Sequence, residues 1–260
     1  SADDKLTAAP GYKWHGDTKG PCPKGLLGNT YAFYLWDEGS EYTKALLLPD
    51  RKPLYTRDAA VRAFSGEKYR MEVFRSDNGG EFKREFSTWC CDRKVHQDFS
   101  LPGDPSTNAR IENIVRRCTD SSTAALCNSG GTLVFWEHCV VMTTKSRCLS
   151  YINRHGEHPY KTLRGYDGPQ PVVFGVMVFY LPNATAPEVL GGSGGSGGAG
   201  VSEQQQPALR QPFEPRGLPG VALGYGRHRS LLLMDWLHYV SSQGAVRTVV
   251  TRSFRIREKR

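Results

Sequence analysis

Residues 191–200 read Gly-Gly-Ser-Gly-Gly-Ser-Gly-Gly-Ala-Gly. Nothing else in the chain constrains its fold as much. A run with no side chain larger than serine can bury nothing and behaves as a flexible coil. The chain must therefore fold on either side of this run and not through it. Charge divides at the same place. Residues 208–260 carry ten Lys and Arg against three Asp and Glu, while the other 24 basic and 23 acidic residues nearly cancel. Most of the net +8 thus lies past the run. Such a segment attracts polyanions, although a solvated tail would have the same composition. The organisation expected is an extension at 1–11, a core at 12–182, a linker at 183–210 and a small basic module at 211–260.

The rest of the composition excludes several classes. A hydrophobic share of 38% with 23% charged residues is a globular balance. No apolar run approaches the roughly 20 residues of a membrane span, so no membrane association is expected. The start is polar and lacks Met, which reads as a piece of a longer chain without a secretory leader. Seven cysteines, an odd number with no CxxC pair, suggest free thiols in a reducing compartment and no structural zinc.

Hydrophobic patterning predicts strands over 12–15, 30–36 and 41–48, with Asp37-Glu38-Gly39-Ser40 as the turn between the last two. A helix over 56–65 follows, with Thr56 as its cap. Then come a strand over 69–75, a helix over 81–91, a strand over 95–99, long helices over 107–128 and 132–154, and a strand over 172–181. Past the linker, apolar segments at 220–224, 231–240 and 247–255 suggest a small, mostly β module. The fold class expected is α/β, an RNase H-like mixed sheet with flanking helices plus that module.

Three carboxylates stand out. Asp17 lies just past the first strand. Asp77 ends a strand and precedes Gly79 and Gly80, which allow a sharp turn. Glu112 lies in the first turns of a helix whose apolar face is Ile111, Ile114, Val115 and Cys118, with Asn108, Glu112, Arg116 and Thr119 on the neighbouring stripe. Carboxylate oxygens suit hard divalent cations. Phosphodiester transfer builds charge on both the attacking and the leaving oxygen, which two ions roughly 3.5–4 Å apart can stabilise. A single Asp at a strand end is more often a turn residue, so it is the set that carries the argument.

The stretch Phe74-Arg75-Ser76-Asp77-Asn78-Gly79-Gly80-Glu81-Phe82 resembles the second-aspartate motif of integrases from copia-type LTR retrotransposons. His15-Gly16-Asp17-Thr18-Lys19-Gly20-Pro21 is similar to their first-aspartate motif. The run from Thr107 to Asn113, with Arg116 and Arg117, is similar to their glutamate motif. Phe135-Trp136, Tyr151-Ile152-Asn153-Arg154 and Val173-Phe174-Gly175 follow the family's downstream pattern, and Pro215-Arg216-Gly217 resembles the start of its C-terminal module. The chain departs from the family at Ala109, where Gly is usual, and at Glu41, where Arg is common. The family's amino-terminal zinc module is not among these residues.

The resemblance implies polynucleotidyl transfer, namely 3′-end processing and strand transfer, with Asp17, Asp77 and Glu112 as catalytic residues holding two Mg²⁺ or Mn²⁺ ions. Expected partners are DNA (element ends and target) and further copies of the chain in a homo-oligomer. The expected location is the nucleus after a cytoplasmic pre-integration stage. Lys94, Asn108, Arg110, Arg116, Arg117, Arg252, Arg255 and Arg257 are candidate phosphate contacts. Trp14, His15 and Asn78 are candidates to line the site, His15 in a structural or supporting role. Two alternatives stay open: a catalytically inactive or domesticated DNA-binding scaffold, and an RNase H-like nuclease.

Overall fold

The structure is a computed structural model that describes residues 9–100, 109–180, 218–226, 230–252 and 254–256. The chain forms two compact units that divide between Gly175 and Val176.

The first unit is built on a five-stranded sheet. Its strands are β1 (Lys13–Lys19), β2 (Tyr31–Asp37), β3 (Thr43–Leu48), β4 (Val73–Ser76) and β5 (His96–Phe99). Their order is β3-β2-β1-β4-β5. The first three pair antiparallel, whereas β4 runs parallel to β1, and β5 parallel to β4. Helices α1 (Pro53–Phe64), α2 (Glu85–Asp92), α3 (Ala109–Ser129), α4 (Trp136–Ser150) and α5 (Pro159–Arg164) complete the unit.

Strand β2 explains why the sheet is covered on both faces. It reads Tyr-Ala-Phe-Tyr-Leu-Trp-Asp and is buried at every position but its first. A near-continuous apolar strand needs a partner on each side. Phe33 and Leu35 point to one side, into a core with Trp14, Phe74, Phe82, Phe86 and the α1 residues Ala59, Ala60 and Phe64. Ala32, Tyr34 and Trp36 point to the other, where Ile111, Val115 and Cys118 of α3 and Trp136 and Val140 of α4 pack. The helix face expected from sequence, Ile111 to Cys118, is thus the face that meets the sheet.

Several boundaries differ from expectation for identifiable reasons. Helix α1 begins at Pro53, not Thr56, because proline suits the first helical turn. Thr56 lies inside the helix, and its hydroxyl donates to the Lys52 carbonyl at 3.3 Å. The helix expected over 81–91 splits into a 3₁₀ turn (Gly80–Phe82) and α2. The one over 132–154 splits likewise into a 3₁₀ turn (Leu133–Phe135) and α4, which stops at Ser150. Helix α5, absent from the sequence reading, opens on Pro159 and ends on Gly165 at φ 77°, a left-handed C-terminal cap.

In the second unit, β6 (Met177–Tyr180), β7 (Leu218–Tyr225), β8 (Leu231–Asp235), β9 (Thr248–Thr251) and β10 (Phe254–Ile256) form an antiparallel sheet in the order β10-β6-β7-β8-β9. The strand expected to close the core at 172–181 belongs instead to this sheet, where Met177 pairs with Val221. The segment expected over 231–240 becomes β8 followed by helix α6 (Trp236–Ser241). Asp235 caps that helix by accepting from the His238 N–H at 3.1 Å, and it also binds Arg247. Arg247 is thereby neutralised within the module. The expected linker at 183–210 lies outside the described residues. No helix among the described residues is long and apolar enough to cross a membrane.

The aromatic core carries the first unit. Phe86 is fully buried, with its ring 4.9 Å from that of Phe74 and 5.5 Å from those of Phe82 and Trp89. Phe86→Ala is expected to lower unfolding free energy by about 3–5 kcal/mol in a urea titration. Leu133→Ala, at a site 56% exposed, is expected to change it by less than about 0.5 kcal/mol.

Candidate active site

Strand pairing brings the first two carboxylates together. Lys13, Trp14 and His15 of β1 stand beside Val73, Phe74 and Arg75 of β4. Because the strands are parallel, two further steps along each lead to Asp17 and Asp77. Asp17 lies within β1, not past its end as expected from sequence. It is directly opposite Tyr34 in β2. Opposite residues in an antiparallel pair share a face, and Tyr34 packs in the α3 core. Asp17 therefore faces the helix that carries Glu112.

Glycine makes this approach possible at two points. A Cβ on Gly16 would stand 2.3 Å from the Phe74 ring. A Cβ on Gly79 would stand 2.8 Å from Asp77 Oδ1 and 2.5 Å from Glu81 Oε2. Gly79 has φ −62°, so its role is space for two carboxylates and not the sharp turn expected from sequence. The Gly79 N–H donates to Asp77 Oδ1 at 3.0 Å and fixes that side chain.

The electrostatics agree with the topology. Burial, opposed by the Thr18 N–H and reinforced by the charges of Asp77, Glu112 and Glu81, pushes the Asp17 carboxyl from the ordinary 3.8 up to about 6. The Thr18 N–H donates to Asp17 Oδ1 at 2.7 Å. Three neighbouring carboxylates thus act on Asp17, two of them the residues expected from sequence. Among the described residues, no three His, Cys, Asp or Glu side chains are placed to close on one metal ion. The carboxylates are near enough to repel one another without being drawn to ligand distance.

Glu81 was not singled out from sequence, although it lies within the second-aspartate motif. It is 2% exposed. Its Oε1 accepts from Thr18 Oγ1 at 2.7 Å and from Arg51 Nε at 2.5 Å. Arg51, also missed, is held more firmly protonated by Glu81 first and by Asp77 and Asp17 in addition. A run such as Pro49-Asp50-Arg51-Lys52 carries no motif, so only the fold reveals its position.

A second set of contacts secures the start of α3. Glu38 accepts from Arg110 Nη1 at 3.0 Å and stands 3.0 Å from His15 Nε2. The bond to His15, with the charges of Lys13 and Arg110, holds the Glu38 carboxyl down at about 2 against its burial. Arg110, expected to meet phosphate, thus tethers the turn after β2 to the helix bearing Glu112. His15 is buried beside that turn. Trp14 does not line the site. It is fully buried on the opposite face of the sheet, stacked at 5.7 Å on Tyr69 and edge-on at 5.1 Å to Phe64.

The remaining candidates are dispersed. Asn78 is exposed beside Asp77, and Arg116 and Arg117 are exposed on α3. Lys94 precedes β5, whose first residue pairs with the first residue of β4, so it sits at the end of the sheet away from Asp77. Arg252 is exposed in the second unit. Arg255 pairs by its backbone with Phe179. Asn108 and Arg257 lie outside the described residues. Ala109 is helical, so the alanine found where glycine is usual causes no strain there.

Residues 7–105 match the family described as Integrase core domain. The match spans Asp17 and Asp77 and ends before Glu112. Among curated proteins, none matches the chain. Of solved structures, a chain of the simian T-cell lymphotropic virus intasome, in complex with PP2A regulatory subunit B56 gamma, is similar at a TM-score of 0.53. The similarity covers 97% of this chain and 80% of that one at 12% identity. The catalytic core domain of BIV integrase has a TM-score of 0.45 at 17% identity, over 58% of this chain and 92% of that one. The catalytic core domain of HTLV-2 integrase, in complex with magnesium in a trimeric form, has a TM-score of 0.48 at 14% identity, over 60% and 98%. The intasome match and the sheet order establish the RNase H-like integrase-core fold for the first unit.

The raised Asp17 carboxyl has a testable consequence. Its folded value exceeds its unfolded one, so the stability it contributes is complete below pH 3.8 and is lost as pH rises to about 6. In metal-free protein, Asp17→Asn removes that loss. The variant is expected to exceed the parent by about 1–3 kcal/mol at pH 8, allowing for partial exposure, and to match it near pH 4. Denaturant titrations at the two pH values measure the difference.

Proposed function

We propose that this chain is a retroelement integrase of the copia type, transferring DNA strands through a divalent-metal site formed by Asp17, Asp77 and Glu112. The observation that carries the proposal is proximity: Asp17 lies in β1, Asp77 directly follows the parallel strand β4, and the charges of Asp77 and of Glu112, on the helix that covers them, both act on Asp17. The integrase-core match over residues 7–105 supports the same reading.

The residues suit the ions. All donors are carboxylate oxygens, the set that Mg²⁺ and Mn²⁺ prefer. A cation among them would also offset the burial and the neighbouring charges that raise Asp17. When bound, a pair of such ions supplies stabilisation of the attacking and leaving oxygens in an in-line displacement. The chain's own contribution is placement. β1 holds Asp17, the end of β4 leads into Asp77, Gly79 leaves room for Asp77 beside Glu81, and the Glu38–Arg110 bond joins the turn after β2 to the start of the helix bearing the third. The exposed Arg116 and Arg117 lie one and more turns along that helix, where phosphates of a bound duplex could be met.

DNA as element ends and target, a homo-oligomeric assembly, and work in the nucleus after a cytoplasmic stage complete the proposal.

A strand-transfer assay with Mn²⁺ and element-end DNA is the test. Asp77→Asn and Glu112→Gln are each expected to lower the rate about a hundredfold or more, the equivalent of about 3 kcal/mol of transition-state stabilisation. Full activity in either variant contradicts the assignment. Cleavage without joining would identify a nuclease instead.

A further inference from the structure

We infer that Glu81 is a strut that sets the spacing of the two aspartate-bearing segments, acting as an Arg51-neutralised partner of Thr18 and not as a metal ligand. The inference rests on the strand-transfer reading of the same site.

The need for a strut is visible in the sheet. The pairing of β1 with β4 is recorded at Lys13–Val73, Trp14–Phe74 and His15–Arg75. It stops two residues short of Asp17 and Asp77, and β4 itself ends at Ser76. Beyond that point the bond from Thr18 Oγ1 to Glu81 Oε1, at 2.7 Å, joins the two segments. Thr18 follows Asp17 directly, and Glu81 lies four residues past Asp77. Glu81 is itself anchored by its neighbour Phe82, which is fully buried with its ring 5.6 Å from Phe74 and 5.8 Å from Phe33.

Charge decides between strut and ligand. A carboxylate this buried, near Asp17 and Asp77, is costly unless it is paired. Arg51 supplies the pair at 2.5 Å. Oε1 accepts from both Thr18 and Arg51, so that oxygen is committed to protein donors. Glu81 therefore adds rigidity to the site while Arg51 cancels its charge. Groups that orient metal ligands in this way commonly change metal affinity about 10–100-fold when removed.

Calorimetric titration of the full chain with Mn²⁺ tests the inference, together with the Mn²⁺ dependence of strand transfer. Glu81→Ala and Thr18→Val are expected to weaken Mn²⁺ binding about tenfold. They should raise the Mn²⁺ concentration needed for half-maximal rate while changing the rate at saturating Mn²⁺ far less. Glu81→Gln keeps an acceptor for Thr18 and is expected to stay within about fivefold of the parent, the size of a partly exposed ion pair. If Glu81→Gln eliminates binding as Asp77→Asn does, Glu81 is a ligand and the inference falls. If Thr18→Val binds Mn²⁺ as the parent does, there is no strut. Thr18→Val keeps a β-branched strand residue and so decides the matter even if Glu81→Ala fails to fold by circular dichroism. Should Asp77→Asn bind like the parent, it is the carboxylate-site reading that fails.

Discussion

The parallel pairing of β1 with β4 is the constraint on which the rest depends. It places Asp17 level with Asp77 although the two are far apart in sequence. That proximity creates a repulsion, and the surrounding contacts can be understood as managing it. Gly79 leaves room for Asp77 beside Glu81, the Thr18 and Gly79 amides donate to the aspartates, and Arg51 brings a positive charge through Glu81. The site keeps its shape because neutral donors and one cation offset charges that would otherwise separate.

The helix side works differently. Glu112 is exposed and rides on α3, so its position is only as firm as the helix. Ile111 and Val115 fix the helix against Tyr34 and Trp36, and Arg110 ties its first turn to Glu38. Glu38 in turn engages His15, two residues before Asp17. One chain of contacts thus links the first aspartate strand to the glutamate helix without passing through the carboxylates themselves. The same buried arrangement removes Trp14 from the site, since adjacent residues on a strand face opposite ways.

Much of this was legible in the sequence, for local reasons. The order of strands and helices follows from apolar spacing. The α3 face was readable because Ile111, Ile114, Val115 and Cys118 recur at helical intervals. Asp77 was readable because its motif is contiguous. What remained hidden depends on pairing across the fold. Glu81 and Arg51 gain meaning only when the loop after β3 meets the 3₁₀ turn after Asp77. The strand Met177–Tyr180 joins the second sheet because its partners, Leu218–Val221, lie beyond a long intervening segment. Gly79 was recognised as important, but for its backbone freedom and not for the space its missing Cβ leaves.

The central claim is that Asp17, Asp77 and Glu112 enclose one divalent-metal site. Diffraction from crystals grown with Mn²⁺, recorded at the manganese absorption edge, tests it most directly. The account predicts anomalous density bounded by these three carboxylates, with Glu81 still bonded to Thr18 and Arg51. Manganese bound elsewhere, or a fully ordered site with no anomalous density among the three, would contradict it.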